Sequence, residues 1–152
     1  MKAKDFLRKA RKLDCMIANK MAEMEQWRTL ATSTTAASAP ETGVRVQSSG
    51  SQQRMADAID RYIELEEEIN RCIDKLIDAK KEIICVIEQL STTEYDVLHK
   101  MYVGVVVSSQ IVYLSFDEVA EKYDKSRSWA TTVHGRAMKS VQKILDAQRE
   151  AD

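Results

Sequence analysis

Four glycines and one proline in 152 residues leave too few turn-makers for a many-stranded sandwich or barrel, so long helices are expected. No apolar run approaches the ~18 residues that a membrane span requires. Residues 1–20 lack the apolar stretch of a secretory leader. Cys15, Cys72 and Cys85 are odd in number and form no CxxC pair, which argues against a disulfide framework and against a structural zinc site. His99 and His134 fall in different predicted elements, without a carboxylate or thiol at ligand spacing. No Gly-rich phosphate loop, nucleophile elbow or paired acidic motif is present. These absences lead to the expectation of a cytoplasmic protein that is not an enzyme, does not enter membranes and holds no cofactor or metal.

What is present is charge, and it is unevenly placed. The chain carries 23 Lys and Arg against 24 Asp and Glu, for a net charge of −1. Residues 1–30 have a net charge of +4 and residues 54–90 a net charge of −4. Lys125, Arg127, Arg136, Lys139 and Lys143 follow one another with no acid between Asp124 and Asp146. A stretch of five uncompensated cations is either a solvated helix face or an electrostatic footprint for a polyanion.

Residues 3–30 place Phe6, Leu7, Ala10, Leu13, Ile17, Met21, Met24 and Trp27 on one helical stripe. Met16, Met21 and Met24 read as core filling. Residues 31–53 are rich in Ser, Thr, Ala and Gln, contain Pro40, Gly43 and Gly50, and read as a flexible linker. From 54 to 90 the pattern is nearly heptad, with Ile59, Tyr62, Ile69, Ile73, Leu76, Ile83, Ile87 and Leu90 at a and d, interrupted by Glu66 and Lys80. Buried in a parallel homodimer, Glu66 and Lys80 would each face their own copy, so an antiparallel hairpin with 3–30 is expected. Ile63, Ile77 and Ile84 then form an apolar flank on which a homodimer could be built. Cys72 and Cys85 lie near the stripe and read as small buried hydrophobes.

The last third contains punctuation. Ser91 and Glu94 have capping-box spacing for a helix ending near Val103, at Gly104. The stretch 104–114 is rich in β-branched residues and reads as a hairpin or an apolar connector. Ser115 and Glu118 repeat the capping box for a short helix to about Tyr123, and Ser126 can cap a final helix from Arg127 to about Gln148. A short helix, a tight turn and a longer basic helix make the helix-turn-helix pattern. Ala120 is small where two helices must cross, and Asp124 tolerates the left-handed backbone a sharp turn needs. Ala130, Val133, Ala137, Val141, Ile144 and Leu145 form the buried face of the last helix. Lys125, Ser126, Arg127, Ser128, Thr131, Thr132, Arg136, Lys139 and Lys143 then face outward as candidate DNA contacts. His134 either touches phosphate or packs beside it, and is included with them; Trp129 is either a backbone contact or a core anchor.

The segment SFDEVAEKYDKSRSWATTVHGRAMKSVQKIL resembles region 4 of sigma-70-type factors, with Asp124 and Lys125 where glycine and an apolar residue are usual. Over nearly its full length the chain is also similar to a family of small uncharacterised phage and prophage proteins of Gram-positive bacteria. Val46-Gln47-Ser48-Ser49, Ile87-Glu88-Gln89-Leu90 and Val133-His134-Gly135-Arg136-Ala137 carry that likeness. The resemblance implies sigma-like DNA binding in phage transcription, inside a bacterial host cell.

The expectation is therefore an all-α protein in two parts. Residues 1–90 form a helical hairpin (3–30 and 54–90), and residues 91–152 form a helix-turn-helix domain. Its expected partners are double-stranded DNA, RNA polymerase and a second copy of the chain. The alternatives are a coiled-coil adaptor or structural phage protein without DNA binding, and a small DNA-packaging subunit.

Overall fold

A computed structural model describes residues 1–36 and 49–152. The fold is all-α. Helix α1 spans Ala3–Ala36 and α2 spans Ser49–Ile87. Both run further into the predicted linker than the breaks in composition suggested. Thr29 and Thr32 return their hydroxyls to the carbonyls of Glu25 and Arg28, at 2.9 and 3.1 Å. The remainder of the expected linker, 37–48, lies outside the described residues.

The chain packs as two units: Met1–Lys12 with Leu76–Asp152, and Leu13–Lys75. The division crosses both long helices. The first turns of α1 and the last turns of α2 pack with the C-terminal elements, which accounts for it. The Ala3 amide donates to Gln142 Oε1 at 2.8 Å, and Arg11 and Lys80 lie over the Tyr113 ring at 5.1 and 5.8 Å. Ala3, Phe6, Leu7 and Ala10 are buried.

In the unit of residues 13–75, α1 and α2 run antiparallel, since Arg61 reaches back to Glu23 at 3.0 Å while Lys20 pairs with Glu68. The Arg61 hydrogen bond holds the Glu23 carboxyl below its usual range, and the Lys20 bond does the same for Glu68. Leu13, Ile17, Met24 and Trp27 are half-buried, whereas Met16 and Met21 are exposed, contrary to their expected core role.

The heptad seam on α2 differs from the expected one at positions 59, 66, 73 and 80, while Ile87 is buried as anticipated. Ile69, Leu76 and Ile83 are buried as anticipated. Elsewhere the buried residue is one place earlier: Ala58 for Ile59, Leu65 for Glu66, Cys72 for Ile73 and Ala79 for Lys80. The shift turns Glu66 outward. Glu66 and Lys80 thus create no buried conflict. Ile59 and Ile73 are left 42% and 39% exposed, beside exposed Ile63. Cys72 is buried but Cys85 is exposed, against the expectation that both would be enclosed.

Helix α3, Thr92–Leu98, passes into a π-helical turn over His99–Val103. The wider turn brings three consecutive residues, Met101, Tyr102 and Val103, into the core. Ser91 occupies the N-cap position, but its side chain makes no capping bond, so the anticipated capping box is absent there. Gly104 closes the turn at φ 96°, where a Cβ would lie 2.7 Å from Ile111 Cγ2. Strands β1, Val105–Val107, and β2, Gln110–Val112, then form an antiparallel hairpin. Its two loop residues, Ser108 and Ser109, both have positive φ, as a type I′ turn requires. Helices α4, Phe116–Lys122, and α5, Arg127–Ala151, complete the chain, and α5 packs on both α3 and α4.

Candidate nucleic-acid interface

The start of α4 is fixed by local chemistry. Ser115 Oγ accepts the Glu118 amide at 3.4 Å, and Glu118 Oε2 accepts the Ser115 amide at 2.7 Å, completing the capping box read from the sequence. These bonds also hold the Glu118 carboxyl below its usual range. At the other end, Asp124 takes φ 51°. The Lys125 amide reaches the Ala120 carbonyl at 2.9 Å, and the Asp124 amide reaches Glu121 at 3.1 Å. That bond pair is a Schellman motif, and it turns the chain sharply between the two helices with Asp doing glycine's work. Ser126 then accepts the Trp129 amide at 3.3 Å and begins α5.

Buried Ala130, Val133, Ala137 and Val141 hold α5 against the rest of its unit, and Val119 and Ala120 are the buried residues of α4. Ile144 and Leu145, expected in the same core, are half-buried because the helix runs out toward solvent in its last turns. Tyr123 fastens the turn to α3. Its hydroxyl donates to Asp96, which also accepts from Lys100, and its ring lies 5.0 Å from that of Trp129. Burial, followed by the Asp96 carboxylate, pushes the Tyr123 phenol up to about 12. Burial raises the Asp96 carboxyl, but the Lys100 and Tyr123 hydrogen bonds outweigh it and leave the group below its usual range. Trp129 is a half-buried packing residue in this cluster.

The opposite side of α5 gathers the other sequence-predicted residues. Lys125, Ser126, Arg127, Ser128, Thr131, Thr132, Arg136, Lys139 and Lys143 are all exposed. At a rotation of about 100° per residue, Ser128, Thr132, Arg136, Lys139 and Lys143 share one face. Among the described residues no ion pair engages Lys125, Arg136, Lys139 or Lys143, and α5 has no acid in its first turn. Arg127 donates to Asp117 Oδ2 at 3.1 Å, with both side chains about two-thirds exposed. A pair so solvated contributes at most about 1 kcal/mol and is easily exchanged for another anion. The Thr131 and Thr132 hydroxyls both donate to the Ser128 carbonyl, at 2.9 and 2.8 Å. Ser126 uses an oxygen lone pair for its cap, so its hydroxyl proton stays available to an acceptor.

His134 departs from this surface. Its Nε2 lies 2.8 Å from the Tyr102 hydroxyl, its ring stacks on Tyr102 at 5.9 Å, and the Phe116 ring meets it edge-on at 5.1 Å. Burial, with the Lys4 charge adding to it, holds its pKa below the ordinary 6.5. The ring packs between elements. Two residues escaped the sequence reading altogether. Asp117 neutralises Arg127, and Gln142 bonds the Ala3 amide and, at 3.3 Å, the Met1 carbonyl. Spacing on one helix could show neither, because both are contacts between separate elements.

Compared with protein-family models, with curated proteins and with solved structures, the chain matches none. Among the described residues no helix is long and apolar enough to cross a membrane, and no three His, Cys, Asp or Glu side chains gather as a metal site.

Proposed function

We propose that this chain is a sequence-specific transcription regulator that binds duplex DNA with α5, resembling region 4 of sigma-70-type factors, encoded by a phage and working in the cytoplasm of its bacterial host. One observation carries the reading. A helix entered through a tight left-handed turn buries Ala130, Val133, Ala137 and Val141 and presents an exposed face bearing the unpaired cations Arg136, Lys139 and Lys143. That division fits a recognition helix, with its first turns reaching base edges and the later cations meeting phosphate. In this reading Arg127 exchanges Asp117 for a base or a phosphate, Ser126 and Ser128 donate to oxygen atoms along the groove, and Thr131 and Thr132 do so by releasing the Ser128 carbonyl. Lys125 lies at the turn and meets the backbone.

A second reading, a coiled-coil adaptor, is favoured by exposed Ile59, Ile63 and Ile73 on α2, which offer apolar surface to RNA polymerase or to a second copy. Selection of bound sequences from a pool of random duplexes separates the two. The regulator enriches a motif, and Arg127→Ala then weakens binding to it by about 1–3 kcal/mol if that arginine is bidentate to guanine. An adaptor retains no duplex at any salt concentration.

A further inference from the structure

The first twelve residues hold six bases, Lys2, Lys4, Arg8, Lys9, Arg11 and Lys12, against the single acid Asp5. A helix start carries partial positive charge, so it favours acids, and clustered cations there work against the fold. Two of the six have partners inside the protein. Lys9 pairs with Glu82 at 3.5 Å, and Arg11 lies over the Tyr113 ring. Lys2, Lys4, Arg8 and Lys12 are exposed and have no ion pair among the described residues.

Of these, Lys2 and Lys4 flank the residue that α5 holds. Gln142 grips the Ala3 amide and the Met1 carbonyl, while Ala3, Phe6 and Leu7 are buried. Lys4 sits near enough to His134 to lower its pKa, and the charges of Arg8 and Arg11 are felt at Tyr102. On α5, Gln142 directly precedes Lys143 and follows Lys139 by three residues, so the start of α1 that it holds flanks the edge of the candidate recognition face. The positive surface of this unit is therefore assembled from two helices distant in sequence.

We infer that the first turns of α1 are a second phosphate-binding element, in which Lys2, Lys4 and Arg8 grip the DNA backbone beside the groove entered by α5. The inference rests on the DNA-binding reading above. These residues neutralise phosphates without reading bases, so their contribution is the same for every sequence and is screened by salt.

The test uses the full chain and a duplex of about 20 base pairs, followed by fluorescence anisotropy over a range of salt concentrations. Each phosphate neutralised contributes about 0.9 to the slope of log affinity against log salt. The Lys2→Ala/Lys4→Ala/Arg8→Ala variant is expected to lose about two to three units of slope, with its ranking of different duplexes unchanged. Lys9→Ala, which removes a cation already paired with Glu82, is the matched control and should leave the slope nearly intact. Circular dichroism confirms the fold, and Lys→Gln and Arg→Gln versions replace any alanine variant that fails to fold. An unchanged slope in the triple variant, while Lys139→Ala/Lys143→Ala reduces it, overturns this inference and leaves the DNA-binding reading standing. Failure of the unmodified chain to bind any duplex overturns both.

Discussion

Gly135 is a residue whose presence the protein's own packing does not require. A Cβ at this position would meet nothing within 4 Å, and glycine inside a helix costs roughly 1 kcal/mol relative to alanine. An exposed glycine next to the candidate contact residues Thr131, Thr132 and Arg136 suits a position where another backbone passes close to α5. Gly135→Ala should therefore raise thermal stability by about 0.5–1 kcal/mol and at the same time weaken duplex binding. Greater stability with unchanged affinity would show that nothing approaches there. His134 permits a second test at the same scale. Its folded pKa lies below 6.5, as does that of His99, where burial is again the leading cause. Between the folded and unfolded values the unfolded chain binds more protons, so stability rises with pH. The stabilisation is complete above 6.5 and is lost as pH falls below it. Denaturation midpoints measured from about pH 7.5 to 5.5 should decline on the acid side, and the His134 ring resonances should titrate below 6.5. A titration midpoint above 6.5 would contradict the half-buried ring's lowered pKa.

Elements differ in how their ends are fixed, and this predicts unequal costs for similar changes. Ser115→Ala removes a cap whose oxygen accepts the Glu118 amide and should cost about 1 kcal/mol. Ser91→Ala, at a cap with no side-chain bond, should cost far less. Chemical denaturation of both variants measures the difference. The long helices offer a parallel comparison, since fully buried Leu65 and 39% exposed Ile73 lie near each other on α2. Leu65→Ala should cost about 2–5 kcal/mol, and Ile73→Ala well under half as much. Equal losses would return the seam to the register read from the sequence. That register was only half legible because two apolar stripes lie side by side on α2. Ile59 and Ile73 lie two heptads apart just as Ala58 and Cys72 do, and periodicity alone gives no reason to prefer the smaller residues. The short helix α4, the turn after it and the start of α5 were far more legible. Their caps, Ser115 and Ser126, and the left-handed turn at Asp124 act through local backbone chemistry that a few adjacent residues determine. The π-turn at His99–Val103 had no such local signature, since it arises from the packing of Met101, Tyr102 and Val103 together.

At the scale of the whole molecule, a net charge of −1 is divided between an acidic stretch on α2 and basic surfaces on α5 and at the start of α1. The α5 surface was visible in the sequence as the acid-free interval from Lys125 to Lys143. Its association with residues 1–12 was not, because Gln142 and Ala3 lie far apart along the chain and nothing in either segment announces the contact. The central claim, duplex binding by α5, is tested most directly by amide chemical-shift mapping of the isotope-labelled full chain titrated with a short duplex. The account predicts shifts concentrated in residues 125–143, extending to residues 2–8 if the second grip exists, and small shifts in residues 54–75. An absence of shifts at low salt, or shifts centred on the exposed isoleucines of α2, would contradict it.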